Sequence, residues 1–243
     1  MSQFRDIYDK IYGSKEIVYE HPSGLLGFLY RKLKRFELNR HQAVYNLLPS
    51  GRQRLLDVGC GDGAFIFMAK DKFNECYGVD ISWQRIEKAK EAAKRITLKK
   101  IAFYQCNVDE QLPFPESFFD VVTAIAVLEH VFNPPKVVEE IHRVLKPNGI
   151  FVAQVPNIAW IPNRIRLLFG KLPVTGGVYL GADWEHLHNF TKDTIISLLA
   201  EKDFRIAYIT TSGIFYRFRR IRVSVLGGDL KAVKTKSHCA IEQ

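Results

Sequence analysis

The run Leu55-Leu56-Asp57-Val58-Gly59-Cys60-Gly61-Asp62-Gly63-Ala64-Phe65 limits what this chain can fold into more than any other stretch. A short apolar segment ends in glycines at alternate positions, Gly59, Gly61 and Gly63, and apolar residues resume over 64–69. Strand, tight turn and buried helix form the layout of a nucleotide-cofactor site at the carboxyl end of a sheet. Glycine is the residue that lets a backbone take positive φ and approach a ligand closely. An ordinary strand-to-helix turn has the same outline, so the rest of the chain has to decide.

Around that turn the sequence alternates strand and helix. Apolar runs predict strands over 54–58, 76–80, 101–106, 119–125 and 150–155, and helical patterns predict helices over 64–72, 84–95 and 134–145. Repeating β-α units of this length predict a doubly wound, mostly parallel sheet with right-handed crossovers. A helix over 191–202, with Thr191 as N-cap, and strands over 204–211 and 230–236 complete a seven-stranded α/β architecture. The division expected is an N-terminal helical cap at 1–48, a cofactor-binding core at 49–155, a lid or substrate insertion at 156–190, and a C-terminal part at 191–243. The insertion is inferred because 156–190 is rich in Pro, Gly and aromatic residues and breaks the rhythm.

Composition sets the compartment. With 243 residues, 47% of them hydrophobic, a sizeable core is available. Cys60, Cys76, Cys106 and Cys239 form no C-x-x-C pair, and the start lacks a basic segment followed by an apolar one. No segment nears the ~20 apolar residues of a membrane span. A cytoplasmic protein is expected, with a peripheral place at a membrane surface as an extension. The formal charge of +9 is concentrated where basic and large apolar residues interleave, at 25–40, 161–171 and 215–223. Solvated basic faces are the usual meaning of such runs. An anionic membrane surface is the favoured partner, and nucleic acid is disfavoured.

Three polar features fall at successive strand ends: Asp57 with the glycine turn, Asp80 seventeen positions after Gly63, and Asn107-Val108-Asp109 after the third strand. An acidic group at the position of Asp80 can accept both hydroxyl hydrogens of a ribose. The glycine spacing narrows the ligand. A dinucleotide turn reads G-x-G-x-x-G, whereas here the third glycine comes one residue early and Asp62 would repel a pyrophosphate. This argues against a nicotinamide oxidoreductase and for a phosphate-free cofactor with an amino acid end and an adenosine end.

At this point the chain resembles class I S-adenosylmethionine-dependent methyltransferases, strongly over about 53–156. The first motif lies at 55–65 and the second at Tyr77-Gly78-Val79-Asp80-Ile81-Ser82; the third and fourth run from Asn107 through Phe119-Asp120-Val121-Val122. Leu128-Glu129-His130 and Glu140-Ile141-His142-Arg143-Val144-Leu145-Lys146-Pro147-Asn148-Gly149 resemble later segments of the small-molecule branch. Pro156-Asn157, Gly170 and His188-Asn189-Phe190-Thr191 are similar to branch members acting on quinone precursors, lipids or sugars. The resemblance implies an enzyme that binds S-adenosyl-L-methionine and releases S-adenosyl-L-homocysteine. It implies that Gly59, Cys60, Gly61 and Gly63 cradle the methionine portion, with Asp57 ordering the turn and the amino group. Asp80 would take the ribose, Ile81 the adenine face, Asn107 and Val108 its edge, while Ala124 and Ile125 underlie the methionine chain. Asn107 departs from the family's usual Asp.

The acceptor is expected to be a small molecule, a lipid-linked compound or a sugar, methylated at oxygen. Alternatives are an RNA- or protein-directed methyltransferase and a cofactor-binding adaptor without turnover. His130, just after the fourth strand, is the first candidate for a catalytic base, with His186 and His188 behind it. No metal is expected. His186 and His188 lack an evident third ligand, and adjacent Glu129 and His130 should diverge on a helix. Asn133-Pro134-Pro135 lies too far beyond the fourth strand for the N-P-P motif of nucleobase amino methylation; a helix start explains it. Oligomeric state is not expressed in the sequence.

Overall fold

A computed structural model describes residues 39–96, 100–173, 178–179, 182–183, 186–210 and 228–234. Residues 1–38 of the cap expected at 1–48, and the basic stretch at 215–223, lie outside the described residues. In chain order the elements are α1 (Arg40–Leu47), β1 (Arg52–Val58), α2 (Ala64–Ala69), β2 (Phe73–Asp80), α3 (Trp83–Ala93), β3 (Lys100–Gln105) and β4 (Phe119–Ile125). They continue as α4 (Pro134–Val144), β5 (Leu145–Val155), α5 (Ile161–Leu168), β6 (Val178–Tyr179), β7 (Ala182–Asp183), α6 (Lys192–Glu201), β8 (Phe204–Thr210) and β9 (Gly228–Lys234).

The main sheet has seven strands in the order β3-β2-β1-β4-β5-β9-β8. The five strands from β3 to β5 are mutually parallel, as the β-α rhythm predicts. β9 enters antiparallel between β5 and β8. The strand order reverses between β1 and β4, which is where open α/β sheets bind ligands. Alternation along β1 divides the core: Leu56 and Val58 face a cluster with Val137, Val138 and Ile141 of α4 and Ile195 and Leu199 of α6. Leu55 faces the opposite cluster, with Val44 of α1, Phe65 and Ile66 of α2, and Ile86 and Ala89 of α3. Period-two strands covered by helices on both faces give three layers. Each fully buried Phe or Ile contributes about 1.5–3 kcal/mol.

Helix starts follow the sequence chemistry. Ser82 caps α3 by accepting the Arg85 N–H, and Asn133 caps α4 by accepting the Lys136 N–H, with Pro in its first turn. Thr191 and Thr194 form a reciprocal capping box on α6.

One strand boundary is corrected: β5 begins at Leu145, not at 150, and runs through Pro147-Asn148-Gly149, while α4 ends at Val144 close to the expected 145. Leu145 still pairs with Phe119, and a register irregularity between Phe119 and Val121 absorbs the turn, in which Asn148 takes a φ of 61°. The connection after β5, expected as an insertion, has secondary structure of its own among the described residues. It carries α5 and the β6–β7 hairpin, and Pro162 sits in the first turn of α5, where proline is tolerated.

Candidate functional site

The glycine turn is held at the reversal point. Gly59, Gly61 and Gly63 have φ of 69°, 56° and 82°, the left-handed region that side chains disfavour. Two of them also back onto neighbours. A Cβ on Gly59 would lie 2.4 Å from Val127 Cγ2, and one on Gly63 would lie 2.7 Å from Phe103. Gly61 is different, since a Cβ there would meet only Arg85 Nη1 at 3.5 Å. The turn therefore opens outward at Gly61 and is packed on either side of it.

Asp80 ends β2 beside that opening. Its Oδ2 accepts the Gly61 N–H at 2.9 Å, and its Oδ1 accepts the Ser82 N–H at 2.9 Å. One carboxylate thus braces the glycine turn and the start of α3 together. The Cys60 N–H donates to the Val79 carbonyl at 2.9 Å, continuing the β1–β2 ladder into the turn. The Cys60 thiol is buried against Gly78, and burial pushes its pKa well up, which makes it a packing group rather than a nucleophile.

Asp57 lies at the end of β1 and is buried. Its Oδ1 accepts the Thr123 hydroxyl at 2.6 Å, tying β1 to β4. Desolvation raises its pKa to about 7; the Thr123 hydrogen bond works against that shift and the Asp80 charge adds to it. Thr123 carried no signal in the sequence, because the pair is sixty-six residues apart.

The remaining expected residues flank this centre. Ile81 follows Asp80 and its carbonyl accepts from Gln105 Nε2 at 3.1 Å. Asn107 Oδ1 accepts the Asp109 N–H at 3.2 Å, and Val108 packs against the core. Asp109, the last residue of the third polar feature, accepts the Phe132 and Asn133 N–H groups at 3.1 and 3.0 Å. It fixes the loop after β4 to the loop after β3. Ala124 is buried opposite Val58, with Ile125 next to it.

Beyond β4 the structure brings together residues that the sequence kept apart. Residues 128–130 form a turn rather than a helix, closed by the His130 N–H on the Val127 carbonyl at 2.9 Å. The Leu187 and His188 N–H groups both donate to the Glu129 carbonyl, at 2.9 and 3.0 Å. His186 then stands edge-on to His130, ring centres 4.7 Å apart. One donor atom from each of Glu129, His130 and His186 lies within 4.8 Å of the others. The expected divergence of Glu129 and His130 is therefore not seen, because a turn does not impose helical spacing. His188 points elsewhere, its Nε2 being 3.3 Å from the Phe132 carbonyl oxygen.

Comparison with known proteins agrees with this geometry. Residues 50–202, more than half of the chain, match the family described as a methyltransferase domain. A Mycolicibacterium smegmatis protein named as an S-adenosylmethionine-dependent methyltransferase is 33% identical over 129 residues, which cover 51% of this chain and 48% of that protein. A ubiquinone biosynthesis O-methyltransferase from Alkalilimnicola ehrlichii is 34% identical over 97 residues, 40% of this chain and 39% of the other. The chain spans about half the length, or less, of these curated relatives. Among solved structures, a SAM-dependent methyltransferase from Methanosarcina mazei is 27% identical with a TM-score of 0.61, covering 82% of this chain and 99% of that one. The residues fit the cofactor: a glycine turn open at Gly61, where only the end of the Arg85 side chain comes near among the described residues, and an acidic group, Asp80, beside it. The cofactor is S-adenosyl-L-methionine, and the chain belongs to the methyltransferase-domain family, the S-adenosylmethionine-dependent methyltransferases.

Proposed function

We propose that this chain transfers a methyl group to an oxygen of a small, lipid-linked acceptor. The observation that carries the reading is the pairing of His186 with His130, which sits in the loop after β4, three residues beyond Val127, itself against Gly59. Gly59 to Gly61 hold the methionine portion, Asp57 its amino group, Asp80 the ribose, and Ile81, Asn107 and Val108 the adenine. Cys60 and Gly63 complete the turn, and Ala124 and Ile125 line the floor. When bound, S-adenosylmethionine supplies an already activated methyl group, so the protein mainly aligns the acceptor and excludes water. An oxygen acceptor also has to lose a proton, and the His130–His186 pair attends that oxygen. The likeness to O-methyltransferases among the relatives supports an oxygen acceptor.

The lipid-linked part rests on α5. Ile165, Leu168, Phe169 and Leu172 are exposed, Leu168 at 81% and Phe169 at 72%, with Arg164 and Lys171 exposed among them. Apolar residues flanked by cations suit an anionic bilayer surface, which takes up the former and attracts the latter. The segment follows β5 directly, so a surface docked there feeds the rim that carries the cofactor turn.

Calorimetry and turnover test the assignment together. Asp80→Ala is expected to abolish S-adenosylmethionine binding, and His130→Ala to leave that affinity unchanged while slowing transfer to a quinol-type hydroxyl acceptor. Undiminished affinity in Asp80→Ala would refute the cofactor placement. For the surface, Leu168→Asp with Phe169→Asp should remove flotation with anionic vesicles and leave the cofactor affinity intact.

A further inference from the structure

We infer that Glu129, His130 and His186 form a binding site for a divalent first-row transition-metal ion on the acceptor side of the site. The inference rests on the reading of that side as the acceptor's; its test does not depend on methyl transfer.

The donor set is specific in its chemistry. A carboxylate and two imidazoles suit Zn²⁺, Mn²⁺, Fe²⁺ or Co²⁺ and are a poor set for Mg²⁺, which prefers an all-oxygen shell. Three protein ligands leave coordination positions open, the arrangement of catalytic rather than structural ions. The dimensions are close to those required. With metal–ligand bonds of ~2.1 Å, donors lie about 3.4 Å apart in a tetrahedron and at most about 4.2 Å apart when opposed. The trio lies within 4.8 Å, so closing it takes roughly 1 Å of side-chain adjustment.

The backbone keeps the trio together. Glu129 and His130 share one turn, and the segment bearing His186 is fastened to the Glu129 carbonyl by two hydrogen bonds. The strand-like bridge of Asn157 to Phe190, with the Ile158 N–H donating to the Phe190 carbonyl at 2.9 Å, secures the same segment from its other side. Glu129 is buried at 1% exposure, so its carboxylate is held in place within the fold. The trio also follows Val127, whose methyl faces Gly59, so an ion there sits on the side from which an acceptor must approach.

An ion at this site would bind the acceptor hydroxyl and lower its pKa. The hydroxyl proton leaves to solvent; the oxygen forms the new bond to carbon, and the electrons of the broken sulfur–carbon bond go to sulfur. His130 then serves as a ligand, not as the base.

The test uses the full chain, stripped with chelator and titrated with Co²⁺ alone. Visible absorption and elemental analysis report the ion, and calorimetry with S-adenosylmethionine is run in parallel. The expected result is one Co²⁺ per chain, displaced by Zn²⁺ but not by Mg²⁺. Loss of a group behind a ligand weakens metal sites 10–100-fold, so Glu129→Gln, His130→Asn and His186→Asn should each weaken Co²⁺ at least about 100-fold. Each should keep its cofactor affinity, which shows that it folds, and His188→Asn should bind Co²⁺ as the parent does. Absence of Co²⁺ and Zn²⁺ binding by a chain that binds S-adenosylmethionine overturns the metal site and leaves the methyltransferase reading standing. So does binding that survives the three substitutions. Failure of cofactor binding in the parent chain would instead strike the reading beneath it.

Discussion

Gly59 and Gly61 have nearly the same backbone conformation, yet alanine should harm them in different ways. Both take positive φ, and placing an L-residue there costs about 1–2 kcal/mol. At Gly61 that is nearly the whole cost, because a new Cβ is in ordinary contact with the end of a flexible arginine. At Gly59 the new Cβ would be 2.4 Å from Val127 Cγ2, about 1 Å inside normal contact. Overpacking of this kind adds about 1–3 kcal/mol, so Gly59→Ala should cost ~2–5 kcal/mol against ~1–2 kcal/mol for Gly61→Ala. For a chain of this size a kilocalorie shifts Tm by about 2–4 °C. Gly59→Ala should then melt on the order of 10 °C low, and Gly61→Ala only a few degrees low. Ligand binding should show the reverse emphasis, since Gly61 lies on the open face of the turn. The clash is isolated by a double-mutant cycle with Val127→Ala, which removes the offending methyl. Denaturant melts should give a favourable coupling of about 1–3 kcal/mol. Strict additivity would refute the packing argument, and equal destabilisation by the two alanines would refute the distinction between the packed and open sides of the turn.

Three further predictions follow from charges that are wholly or partly buried, at Asp57 and Arg143. Asp57 has its pKa raised to about 7, so below pH 7 it is largely protonated and a ligand ammonium beside it must displace that proton. Calorimetric affinity for S-adenosylmethionine should rise by up to about tenfold per pH unit on approaching pH 7, then level off, and Asp57→Asn should flatten the slope. The same raised pKa means the folded state holds an extra proton between its unfolded value, 3.8, and about 7, so the Asp57 contribution to stability falls as pH rises through that window. Arg143 donates to the Phe114 and Leu112 carbonyls at 2.9 and 3.1 Å and pairs with Glu140 at 2.8 Å. Arg143→Lys cannot reproduce that planar fork. It should cost about 1–3 kcal/mol in urea melts, and a loss below half a kilocalorie would show that the loop before β4 is held by its phenylalanines alone.

What the sequence disclosed and what it withheld divide by range. β4, a mostly apolar run interrupted by Asp120 and Thr123, was legible to the residue; the glycine turn and Asp80 were legible because their spacing is itself the chemistry. α5 was not, since its Ile161, Ile165, Leu167 and Leu168 side chains lie on the exterior and produce no core-facing stripe. The end of α4 before Pro147-Asn148-Gly149 was legible, but the early start of β5 at Leu145 was not, because the pairing depends on a register irregularity against β4. Contacts made across the sheet were silent in the sequence: Thr123 on Asp57, Asp109 on the loop at 132–133, and His186 beside His130 each join segments that only the topology makes neighbours. The alternation of His186 and His188 was a usable signal that lacked its counterpart, because a helix was assumed where Leu128-Glu129-His130 forms a turn.

β9 is the strand that runs against the rest. Its first residues, Gly228 and Asp229, pair with Val155 and Gln154 at the end of β5, and Asp229 also pairs with Thr210 at the end of β8. The chain between Thr210 and Gly228, which contains the basic run at 215–222, thus leaves from and comes back to the rim that bears the glycine turn. The connection from Val155 to Phe190 is moored to that rim too, at Asn157. Both long connections therefore start and finish on one rim of the sheet, their ends fixed there by backbone pairing beside the glycine turn.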